Sequence, residues 1–146
     1  MVNRFLAAFF LFVTAGTSFA TDHCTKGSEF EPPLCPLILP KISKVTIVEN
    51  AAKSPAEQDN SVTCTSFSVK ESQVRRYFSK AKVTNESDAH HTLDWSPCYA
   101  SGKIFFNDGT TGDWSVNQFR GGSLVIGDGK KMILYCPQCK FRPFQW

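Results

Sequence analysis

The chain has 146 residues, of which 16 are Lys or Arg and 13 Asp or Glu, with 42% hydrophobic residues and six cysteines. A net charge of only +3 argues against nucleic-acid binding, which usually needs a pronounced basic excess on one face, and no aromatic platform motif accompanies it. The length is that of one domain.

Met1-Val2-Asn3-Arg4 carries one positive charge, Phe5 to Val13 is uninterrupted apolar sequence, and Thr14 to Ala20 turns small. With Ser18 and Ala20 at the minus-three and minus-one places, residues 1–20 read as a signal peptide cleaved after Ala20. The apolar run is about half the roughly 20 residues that a spanning helix needs, so no integral membrane segment is expected after cleavage. Arg4 is the only charge removed, leaving 126 residues with 15 basic and 13 acidic side chains.

Residues 21–41 hold Pro32, Pro33, Pro36 and Pro40 and read as an N-terminal arm, because proline forbids regular helix or a central strand. Ile42 to Glu49 is β-branched and reads as a strand, and Ala51 to Ser61 as a polar connection. Ser68 and Glu71 have capping-box spacing, and Val74, Tyr77, Phe78 and Ala81 recur at i, i+3, i+4 and i+7, which predicts a helix over about residues 69–82. Its other face carries Lys70, Arg75, Arg76, Lys80 and Lys82, either a solvated face or a docking surface for an acidic partner.

A polar loop is expected from Val83 to Ala89, followed by a meander. Lys103–Phe106, Trp114–Phe119, Leu124–Ile126 and Met132–Cys136 are separated by Asn107-Asp108-Gly109, Gly121-Gly122 and Gly127-Asp128-Gly129. Residues 42–146 are thus expected to form one disulfide-stabilised α+β domain, a single amphipathic helix packed on a mainly antiparallel sheet of four or five strands.

An even number of cysteines behind an export signal predicts a disulfide framework of Cys24, Cys35, Cys64, Cys98, Cys136 and Cys139. Six cysteines allow 15 connectivities; pairing Cys24 with Cys35 would close the arm. Two other readings compete for some of them. Cys136-Pro137-Gln138-Cys139 has the form of a thiol-redox motif, although no helix can follow it, and Cys64, Cys98, Cys136 and Cys139 are four potential zinc thiolates.

His90, His91 and Asp94 are the one cluster resembling metal-ligand or catalytic chemistry, with a polar loop as the plainer reading. No nucleophile elbow, His-Glu-x-x-His or phosphate loop accompanies it, so neither catalysis nor a cofactor is expected. The tail holds Phe141, Phe144 and Trp146, which either fold back over the sheet edge or join Arg75, Arg76 and Lys80 in a binding surface.

Asp94-Trp95-Ser96-Pro97-Cys98-Tyr99-Ala100-Ser101-Gly102, Asp113-Trp114-Ser115-Val116 and Leu134-Tyr135-Cys136-Pro137-Gln138-Cys139 resemble a family of small exported proteobacterial proteins. The resemblance spans about residues 64–146 and implies a periplasmic location; it carries no activity and no binding residues. The expected function is that of a periplasmic or secreted, non-enzymatic protein that binds another protein, such as an immunity or inhibitor protein of the cell envelope. The alternative is a thiol-redox or metal-binding protein using Cys136 and Cys139 with His90 and His91.

Overall fold

Alternation of buried and exposed side chains dictates the architecture. The computed structural model describes residues 23–127 and 129–145, and the expected signal peptide and Trp146 lie outside the described residues. In chain order the strands are β1 (Cys35–Pro36), β2 (Ile42–Lys53), β3 (Lys82–Thr84), β4 (Cys98–Phe106), β5 (Thr111–Asn117), β6 (Gly121–Ile126) and β7 (Lys130–Tyr135). Helix α1 (Glu71–Phe78) lies between β2 and β3, and α2 (Glu86–Thr92) between β3 and β4.

The seven strands form one antiparallel sheet in the order β1-β3-β7-β6-β5-β4-β2. The α+β class is as expected, whereas the strand count exceeds the four or five legible in the sequence.

In β4, Cys98, Ala100, Gly102, Ile104 and Phe106 are buried while the residues between them are not. Register carries this face across the sheet: Ala100 pairs with Val116, Gly102 with Trp114, Trp114 with Leu124, and Gly122 with Leu134. At Gly102 the neighbouring strand comes so close that a Cβ would lie 1.9 Å from the Thr46 carbonyl oxygen. A side chain there would force β2 and β4 apart. The β4–β5 turn closes on Gly109 at φ 87°, with the Gly109 N–H donating to the Phe106 carbonyl at 3.1 Å.

Helix α1 lays Val74, Tyr77 and Phe78 on this inner face, with Ala81 buried just beyond. Each such side chain contributes about 1.5–3 kcal/mol of burial. The helix is shorter than expected and starts differently. Lys70 is the N-cap, and Gln73 rather than Glu71 reaches back, its Oε1 accepting the Lys70 N–H at 2.7 Å. Ser68 remains exposed outside the helix.

Tyr77 is fully buried, and its hydroxyl donates to the Arg120 carbonyl at 3.1 Å. Burial pushes its phenol well above the ordinary value. Above about pH 10 the unfolded chain gives up this proton while the folded chain keeps it, so stability falls as pH rises. Tyr77→Phe is therefore expected to flatten the alkaline loss of stability, read as urea midpoints between about pH 8 and 11. Midpoints that fall as steeply as in the parent chain would refute the assignment.

Four expectations are corrected. The arm is part of the sheet, since Cys35 pairs with Val83 and Pro36 with Lys82. The expected loop Val83–Ala89 is instead β3 and most of the first turns of α2. Strand β2 runs on through Lys53, its register broken around Val48 and between Glu49 and Ala52. The tail covers the inner face of the sheet, where Phe144, 2% exposed, joins the core.

Both sheet edges are guarded. At one edge β1 has two residues, one of them Pro36. At the other, the Arg75 guanidinium donates to the Ile42 and Ser43 carbonyls at 3.2 and 2.8 Å, and the Asn50 side chain makes two hydrogen bonds to the Val69 backbone. Bulges, a short edge and charged side chains discourage strand addition.

Candidate functional site

All six cysteines are oxidised, as Cys24–Cys35, Cys64–Cys98 and Cys136–Cys139. This removes the four-thiolate zinc set. Cys136 and Cys139 are 0% exposed, and the residues after them form turns rather than a helix whose N-terminus would lower a thiol's pKa. Arg120 fastens this loop: it sits at φ 72°, its carbonyl accepts from Tyr77 and from the Cys136 N–H, and its Nη1 donates to the Pro137 carbonyl at 3.0 Å.

The His90–His91–Asp94 cluster is divided, with both histidines in the last turn of α2 and Asp94 beyond its end. Asn85 caps α2 by accepting the Asp88 N–H at 2.8 Å, with Glu86 and Asp88 in the first turn and both histidines in the last. Acid at the N-terminus and potential cations at the C-terminus suit the helix dipole. The two imidazoles stack at 5.6 Å. His90 and Asp94 line one groove and His91 does not. Among the described residues no group of three His, Cys, Asp or Glu side chains is placed to hold a metal ion.

The expected binding residues separate in the same way. Arg75 is occupied with the β2 edge, and Phe144 is interior, stacked on Tyr77 at 5.5 Å and edge-on to Phe67 and Phe141 at 5.6 and 5.3 Å. Phe144 is thus buried in the core, and the half-buried Arg75 guanidinium donates to two backbone carbonyls. Arg76 is exposed, with its guanidinium 4.3 Å from the centre of the half-buried Phe141 ring. Lys80 is half-buried, and Lys140 and Arg142 are exposed. Gln73 donates to the Arg142 carbonyl at 2.7 Å, tying the tail to α1. A cleft of about 700 Å³ opens here, lined by Ser66, Ser68, Gln73 and Arg142 among others.

A second open groove, of about 680 Å³, lies on the opposite face of the sheet beneath α2 and the segment that follows it. His90, Asp94 and Trp95 form one wall, and Ser115, Asn117 and Ser123 rise from β5 and β6. Trp95 is 60% exposed. Its position was legible only as an aromatic residue between Asp94 and Ser96-Pro97, and the serines only as the outward members of alternating strands.

Comparison with known protein families, curated proteins and solved structures finds no significant match. The three disulfides suit an oxidising compartment. No helix among the described residues is long and apolar enough to cross a membrane.

Proposed function

We propose that this chain is a non-enzymatic exported protein, periplasmic or secreted, that binds an acidic protein partner as an immunity or inhibitor protein would. The observation that carries this reading is the Arg76–Phe141 pair, a cation held over an aromatic ring at 4.3 Å beside exposed Lys140 and Arg142. Arginine and aromatic residues dominate interface hot spots because they desolvate a large surface at small entropic cost. The ring is supported from behind by Phe144, so the pair is ordered before a partner arrives. Against the thiol-redox alternative stands the complete burial of Cys136 and Cys139.

The test is capture from periplasmic extract at low ionic strength, followed by affinity measurement on the recovered partner. Affinity is expected to fall with added salt, since exposed charges are screened within about 10 Å at 0.1 M. Arg76→Glu combined with Phe141→Ala is expected to weaken binding by at least about tenfold, roughly 1.4 kcal/mol. Failure to recover any partner, or a partner held equally by this variant, sinks the proposal.

A further inference from the structure

The groove on the far side of the sheet has a chemistry unlike that of the Arg76 patch. Register places Ser115 opposite Ser123, and the core-facing neighbours Trp114, Val116 and Leu124 turn both serines away from the interior. Among the described residues, the hydroxyls of Ser115 and Ser123, the His90 ring and the Asp94 carboxylate have no side-chain hydrogen-bond partner in the protein. Asn117 is held in place, its Oδ1 accepting the Phe119 and Gly121 N–H groups at 2.9 and 3.1 Å, which leaves Nδ2 as the donor end of the side chain.

The groove therefore presents mixed donors and acceptors around one solvent-facing indole. Charge narrows the ligand further. Among the described lining residues the carboxylates of Glu86 and Asp94 stand against Lys131, which lies 3.0 Å from Glu86, so an anionic ligand is disfavoured. The floor sets Ser115, Asn117 and Ser123 beside Ile133 and Leu134, with Leu93 and Ala89 on the α2 side, so polar groups and apolar surface alternate. A ligand matched to this surface is uncharged, rich in hydroxyls that both donate and accept, and has a C–H face that can lie on an aromatic ring.

We propose that this groove is a saccharide-binding site, with Trp95 as the stacking platform and Ser115, Asn117, Ser123 and Asp94 as hydrogen-bonding partners of a neutral pyranose chain. Its volume falls within the range of about 300–1,000 Å³ usual for small-ligand clefts, and its openness at the surface allows a chain to continue past it. His90 closes the wall on the α2 side.

The experiment titrates the disulfide-intact protein with cellotetraose, maltotetraose and N-acetylated chitotetraose, following tryptophan emission and amide chemical shifts. At least one sugar is expected to bind at about millimolar strength or better, with shifts centred on Ser115, Asn117 and Ser123. Trp95→Ala is expected to weaken that binding about tenfold or more while leaving the unfolding midpoint unchanged, because the indole is largely exposed. The Arg76→Glu/Phe141→Ala variant is expected to keep the sugar affinity of the parent chain, which separates this site from the protein-binding surface. Absence of binding by all three sugars up to about 10 mM, or equal binding by Trp95→Ala, overturns the proposal. Loss of the protein partner in Trp95→Ala with no sugar response assigns the groove to a polypeptide instead and overturns it too.

Discussion

Replacing Cys64 and Cys98 together by serine is expected to destabilise the chain by about 3–4 kcal/mol, the largest loss of any single disulfide here. This bridge closes a separation of 34 residues, against 11 for Cys24–Cys35 and 3 for Cys136–Cys139. The entropy removed from the unfolded chain grows with the logarithm of loop length, so the ranking follows from sequence separation. The bridge also fastens the segment leading into α1 to the first residue of β4. Both cysteines are buried, and the serine hydroxyls introduced there would need partners. Urea unfolding of the parent and variant measures the difference, and the melting temperature should fall by about 10–15 °C. A loss below about 1 kcal/mol would mean that the unfolded chain is already constrained across this loop.

Phe144→Ala is expected to cost about 3–4 kcal/mol, the range for emptying a buried aromatic site. The ring stacks on Tyr77 and meets Phe67 and Phe141 edge-on. Tyr77 and Phe67 are fixed by α1 and the core, so the vacated space cannot collapse easily. Phe141 loses its backing, and with it Arg76 loses its platform. The variant should therefore weaken partner binding as well as stability, whereas Phe141→Ala should act mainly on binding. Thermal unfolding and the affinity assay together separate the two effects. A Phe144→Ala chain as stable as the parent would place the tail outside the cooperative unit.

The elements legible in the sequence are those whose periodicity is long enough to register. Val74, Tyr77, Phe78 and Ala81 mark one helical stripe, and all four are buried. The meander from β4 to β7 is punctuated by turn residues where chain reversal needs them. Strands of two and three residues, β1 and β3, have too few positions to show alternation. Helix α2 buries none of its residues and so leaves no apolar stripe. Its signature is Asn85 as cap, acids first and histidines last. Phe144 looks like a surface aromatic in sequence, because its burial depends on contacts with residues 67 and 77. The groove draws on positions 90, 94, 95, 115, 117 and 123, and nothing local in the chain announces that these meet.

Strand β7 lies between β3 and β6 rather than at an edge. In the order of synthesis, β1 and β3 must wait for Lys130–Tyr135 before they can join the other strands, whereas β2 pairs with β4. A chain of this topology cannot complete its sheet before residues 130–135 are available. The β4–β5–β6 hairpins can form at once, since their pairings are local, whereas β1 and β3 close late through long-range contacts that slow folding. Oxidation of Cys64 with Cys98 precedes this step as readily as it follows it, because both residues emerge before β7. Completion of the sheet is thereby tied to β7, the last strand among the described residues.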